Sequence, residues 1–221
     1  MNRIWLVCAV FLAAASVAPA TEQVVKLETD GDSYVCRFYE PSVPLEFYVD
    51  DNFGDAWELH VSNTYTYISD PWWMEVLEMA YMHFDFSGLG EYDGADLVEA
   101  QLVFNATDAV EGAVLAAKVA GPWEEMSITY RNRPPRGDSV ASFDMVEGYN
   151  YVDLNVGKIA PWVDAPDLAY GIQLDHGGNG SWDNYGVFCS RETDSPPELW
   201  LTFSEPAVQE SSWGEIKASF E

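Results

Sequence analysis

Trp123-Glu-Glu-Met-Ser-Ile-Thr-Tyr-Arg-Asn-Arg-Pro134 lies between two long runs of alternating apolar residues, and its reading decides the fold. The breaker Gly121-Pro122 precedes it, and Ile128 and Tyr130 alternate with polar neighbours. The stretch reads as a loop, a short strand and a turn, the Asn132 amide closing the turn on its own backbone ahead of Pro134. Trp123 and Ile128 are expected to anchor the core. Glu124, Glu125, Arg131 and Arg133 are expected to clamp one another across it.

Outward from this stretch, period-two alternation recurs. Residues 24–27 and 34–38 read as two strands separated by the turn Asp30-Gly31-Asp32. Leu45, Phe47 and Val49 alternate, then Trp57, Leu59 and Val61. Residues 63–75 break the rhythm and read as a long loop decorated with Tyr65, Tyr67, Trp72 and Trp73. Further strands are expected around residues 82–86, 98–104, 114–120, 141–145, 149–154, 169–175, 185–191 and 198–203. A helical turn near residues 156–163 interrupts them, and a flexible loop carrying Trp182 separates two of the last. Many short strands with almost no helix indicate an all-β chain, a sandwich or a barrel.

The pattern Trp-x-Glu-x-x-Ile-Thr-Tyr-x-Asn-Arg-Pro resembles the signature of the DNRLRE-domain family, secreted bacterial and archaeal modules related to carbohydrate-binding jelly rolls. Tyr81-Met-His-Phe-Asp-Phe-Ser-Gly-Leu89 before it and Ser190-Arg-Glu-Thr-Asp-Ser-Pro-Pro-Glu-Leu-Trp-Leu-Thr-Phe203 after it agree in kind and order. The resemblance covers roughly residues 24–204. It implies a jelly-roll-like antiparallel β-sandwich and recognition of an extracellular glycan or cell-envelope partner. Arg191-Glu192 matches the family's Arg-Glu pair, either a structural ion pair at a strand end or a ligand contact.

Residues 1–20 carry Arg3, an apolar run and Ala18-Pro19-Ala20, the pattern of a secretory signal peptide cleaved after Ala20. A single domain is expected over residues 21–204, followed by a linker and short amphipathic tail over 205–221. There Ser212-Trp-Gly-Glu215 matches a capping box, and Trp213, Ile216 and Phe220 share one face of a short C-terminal helix. The apolar run is short for a membrane span, and no later segment approaches one. The expected location is extracellular or at the cell surface.

The formal charge is −27, and cleavage removes one arginine and no acid. So acidic a surface repels nucleic acid and anionic membranes, and it disfavours polyanionic sugars unless a cation bridges the two. After cleavage Cys36 and Cys189 remain, an even count that suggests a disulfide in an exported protein. The alternative is two buried thiols in neighbouring strands.

Catalytic signatures are weak. There is no Gly-x-Ser-x-Gly elbow, and Gly137-Asp138-Ser139 reads as a polar turn. His60, His83 and His176 have no zinc-ligand spacing. Calcium has better candidates, since Asp30, Asp32, Asp50 and Asp51 fall in oxygen-rich turns, as do Asp183 and Asn184. Solvated turns explain the same residues, though related sandwich modules often carry a structural calcium. Sugar binding needs flat aromatics outside the core. Tyr65, Tyr67, Trp72, Trp73 and Trp182 supply them, Trp57, Trp123 and Trp200 being read as core. The expected function is therefore a secreted, non-catalytic binding module for a polysaccharide or cell-surface partner. A structural surface protein and a polysaccharide-cleaving enzyme on the same scaffold are the alternatives.

Overall fold

The computed structural model describes residues 22–40, 45–69, 72–109, 112–176 and 185–204, with the backbone alone at 66–69 and 72–73. The signal peptide, Trp182 with its loop, and the tail with its expected helix lie outside them. In chain order come β1 (Glu22–Glu40), β2 (Leu45–Phe47), β3 (Glu58–Ser69), β4 (Trp72–Phe84), β5 (Leu97–Ala109) and β6 (Ala113–Val119). Then follow β7 (Arg136–Asp144), β8 (Gly148–Asp153), α1 (Val156–Asp164), β9 (Ile172–His176), β10 (Tyr185–Cys189) and β11 (Glu198–Ser204). Every pairing is antiparallel. The chain is an all-β sandwich with one short helix.

Two long strands carry the chain between layers. Residues 22–28 of β1 pair with β11, and residues 29–39 pair with β4, with a shift in register between Thr29 and Gly31. The turn expected at Asp30-Gly31-Asp32 is thus a bulge inside one continuous strand. Bulges and turns draw on the same residue types, and a bulge bends the strand without ending it. β5 likewise pairs with β11 early and β10 late. The N-terminal half of β1 with β11, β5 and β8 forms one layer, and its C-terminal half with β4, β9, β6 and β7 forms the other. β3 and β10 join the two.

Alternation buries Ala100, Leu102, Phe104 and Ala106 of β5 against Ala80, Met82 and Phe84 of β4 and Ile172 and Leu174 of β9. Helix α1 sits where a helical turn was expected. It adds Ile159, Trp162 and Val163 to this core, three positions on one helical face. Gly171, at φ 102°, allows the chain to pass Met82, whose carbonyl oxygen would lie 2.2 Å from any Cβ there.

A second, smaller core lies on the far side of β4. Val35, Val49, Tyr81, Val119, Ile128 and Tyr130 close together there, with Trp123 packed against them. The segment 123–134 is the lid of this core. It contains no strand; its polar groups are satisfied locally instead. Asn132 accepts from the Thr129 backbone N–H at 2.6 Å and donates to the Ser127 carbonyl at 2.9 Å. The Trp123 indole N–H donates to the Tyr170 carbonyl at 2.7 Å. Trp123 and Ile128 anchor as expected, while the charged residues clamp other segments: Arg131 pairs with Asp50 at 2.7 Å, and Glu125 with Arg191 at 2.7 Å.

Residues 63–75 are the other correction. They form most of the β3–β4 hairpin, with Tyr65 opposite Glu75 and Tyr67 opposite Trp73. A hairpin with polar and aromatic residues on both faces shows no clean alternation, so its strands were hidden. Trp57 also departs from expectation: it is 72% exposed rather than core.

Cys36 and Cys189 are both free thiols. Cys36 pairs with Glu78 on β4, which pairs with Ser62 on β3, whose residue Glu58 pairs with Cys189 on β10. Three ladder steps across the sheet, roughly 14 Å, and the four residues from Ser62 to Glu58 along β3, roughly 13 Å, lie between the cysteines, too far for a bridge.

Candidate functional site

The outer face of the first layer presents the exposed aromatics that the hairpin was expected to supply. On β8, Asn150 and Val152 point inward, so Tyr149 and Tyr151 stand outward, 58% and 56% exposed. Their rings are 6.4 Å apart. Trp200 of β11 meets Tyr151 edge-on at 5.8 Å, and the Lys26 ammonium lies 3.7 Å above its ring. Register explains the row: Lys26, Trp200, Gln101 and Asp153 are successive cross-strand neighbours. The Gln101 amide donates to Asp153 at 2.8 Å. Two open rings beside an ammonium, an amide and a carboxylate form a surface that can stack on a sugar ring and bond its hydroxyls.

Sequence reasoning missed this face because an aromatic in an alternating strand is expected inside. Asn150 reverses the choice. Its amide donates to the Val146 and Gly148 carbonyls and accepts from the Val146 N–H, closing the β7–β8 turn. That fixes Asn150 inward and turns both tyrosines out. The pair Asn150 and Gly148, with its φ of 90°, was the available signal.

A cleft of about 560 Å³ opens where β3 and β4 part. Residues 72–78 of β4 pair with β3, whereas residues 80–82 pair with β9. Asn63, Leu77, Glu78, Gln173, Asp175 and His176 line the fork, and Arg133 and Pro134 of the lid segment, Pro135, and Arg136 at the start of β7 complete it. Asp175 is nearly buried and pairs with Arg136 at 3.3 Å. Burial raises its pKa, and Arg136 opposes that shift. Burial lowers the pKa of His176, and the nearby Ala113 and Val61 backbones oppose that shift. Tyr65 is half-buried and one row beyond Asn63 on β3, so the hairpin leads away from this cleft.

The carboxylates proposed for a cation are distributed differently from expectation. Asp30 pairs with His83 at 2.6 Å, Asp50 pairs with Arg131, and Asp51 is exposed. Asp32 instead gathers with Glu125 and Glu192, ligand atoms all within 4.8 Å of one another. Arg191 occupies the centre of that group. Its backbone N–H donates to Asp32 at 2.7 Å, and its Nε lies 2.7 Å from Glu125 and 3.0 Å from Glu192. A guanidinium stands where a metal would neutralise the acids, so Arg191 is a clamp joining β1, the lid segment and the turn after β10. Asp32 is almost fully buried, and burial, with Glu192 and Glu125 adding to it, raises its pKa to about 7.

A sandwich whose outer face carries aromatics and hydroxyl-bonding groups has the form of a carbohydrate-binding module. Residues 43–203 match the family model for carbohydrate-binding module family 96, and the chain belongs to that family. The matched family is named for carbohydrate binding, not for the DNRLRE signature read from segment 123–134. A comparison with curated proteins finds no match.

Proposed function

We propose that this module holds a glycan chain along the outer face of β11, β5 and β8, with successive sugar rings on Tyr151 and Tyr149. The single observation behind this is the pair of outward tyrosines, ring centres 6.4 Å apart, on an unbroken ladder. An exposed Tyr-bearing sheet face supports binding over the alternatives of surface scaffold and polysaccharide-cleaving enzyme. The action is non-catalytic and extracellular, following export on residues 1–20. Exported protein is expected to start at Thr21 by amino-terminal sequencing, and a chain retained inside the cell with residues 1–20 uncleaved would remove the export step.

Covering about 100 Å² of apolar ring surface at ~25 cal/mol/Å² contributes about 2.5 kcal/mol. A Tyr149→Ala/Tyr151→Ala variant is therefore expected to bind at least tenfold more weakly. The net charge of −27 repels a polyanionic chain. The test is accordingly an array of neutral and uronic glycans, each with and without calcium, using this variant beside Trp72→Ala/Trp73→Ala. Loss with the hairpin variant and none with the tyrosine variant would return the site to the hairpin.

A further inference from the structure

The fork cleft holds a polar group whose hydrogen-bonding capacity is unused. Gln173 is 3% exposed, yet no donor among the described residues reaches its Oε1. The amide orientation is determined by its neighbours. Nε2 donates to Asp175 Oδ2 at 3.1 Å, and Asp175 is held in turn by Arg136. Rotating the amide would set oxygen against carboxylate, so Oε1 is an acceptor with no partner among the described residues. An acceptor buried without a partner is a cost to the fold. A volume of about 560 Å³ lies within the range of roughly 300–1,000 Å³ that small ligands occupy.

We propose that this cleft is a second carbohydrate site, taking a chain end or branch sugar, in which Gln173 Oε1 accepts a hydrogen bond from a ligand hydroxyl. The lining suits a sugar. Pro134, Pro135 and Leu77 offer an apolar wall for its C–H face, and the guanidiniums and carboxylates of Arg136, Asp175 and Glu78 bond hydroxyls around its rim. The inference rests on membership of a carbohydrate-binding family, and not on the Tyr149–Tyr151 face.

The competing account is a buried water. Tyr81 lies directly across the ladder from Gln173, and its hydroxyl is also buried without a partner among the described residues. A water between the two would satisfy both and need no ligand. Gln173→Met distinguishes the accounts. Methionine also removes the Nε2 donor of buried Asp175, so Tm falls in either account and affinity is the readout. An acceptor kept for a ligand loses at least tenfold in affinity at this site, whereas one bonded to a structural water leaves affinity unchanged.

The experiment is a titration of the ¹⁵N-labelled protein with neutral and uronic tetrasaccharides, followed by amide shifts at the fork (Leu77, Gln173, His176) and on the outer face (Tyr149, Tyr151). Fork shifts that saturate, and that weaken at least tenfold in Gln173→Met but not in Tyr149→Ala/Tyr151→Ala, are expected. Arg136→Gln, a substitution at an exposed side chain, is expected to weaken them severalfold. Shifts on the outer face alone would overturn the second site and leave the first standing. Shifts at neither place would sink both.

Discussion

The outer face of β11, β5 and β8 and the fork between β3 and β4 are built by opposite means. The face lies on a continuous register from Lys26 through Trp200 and Gln101 to Asp153, so side chains rather than backbone groups meet the solvent there. Its offering is rings. The fork exists because β4 exchanges β3 for β9 at Met79, and polar side chains line the gap between the parting strands. Its offering is acceptors and charges. One chain thus presents a stacking surface and a hydrogen-bonding recess, and the difference follows from whether a ladder continues or divides.

The two regions share the main core, and the largest expected effect removes that support. Trp162 is the bulkiest fully buried side chain, packed edge-on against Phe86. Trp162→Ala should cost about 3–5 kcal/mol in denaturant unfolding. Binding at either region should survive below the lowered transition. Binding lost at either one while the variant is still folded would tie that region to α1 more tightly than the contacts allow.

The lid segment forms part of one wall of the fork, and its ion pairs run to Asp50 and Arg191 rather than to the outer face, so its clamp should separate the two. Asp32 has a folded-state pKa raised from 3.8 to about 7. The stability it contributes is complete below its unfolded value and is lost as the pH climbs through the folded one. The protein should lose stability between pH 4 and 7, and Asp32→Asn should flatten that slope. At pH 8 the variant should be the more stable by on the order of 2 kcal/mol. Asparagine keeps an acceptor for the Arg191 N–H. Unfolding curves that run parallel for the two proteins across this range would contradict the assignment.

The smallest expected effect is on metal removal. With Arg191 seated among Asp32, Glu125 and Glu192, and with His83 and Arg131 on Asp30 and Asp50, chelation should leave Tm unchanged. A Tm that rises with calcium and falls with chelator would show that the arginine yields to an ion.

Much of the scaffold was legible where one face of a strand is buried and the other wet. The alternation in β5, β6 and β9 to β11 locates those strands within a few residues. Legibility failed at residues 63–75 of β3 and β4, where polar and aromatic residues alternate without a consistent face and a strand lacking a buried face has no binary pattern. It failed again at Asp30-Gly31-Asp32, where a bulge carries the residues of a turn. The family-bearing segment was correctly read as scaffold in its apolar anchors and misread as partly strand, because side-chain amides rather than a ladder take up its backbone groups. The tyrosines were missed for one reason, the inward amide of Asn150. The Gln173 acceptor could not be read at all, since it depends on which strand β4 abandons.

The most direct test of the account is hydroxyl-radical footprinting, with and without a glycan that the array identifies, read residue by residue by mass spectrometry. Saturating glycan is expected to protect Tyr149 and Tyr151 while leaving exposed Trp57 as reactive as before. Full reactivity of both tyrosines, with protection confined to residues 65–73, would contradict it.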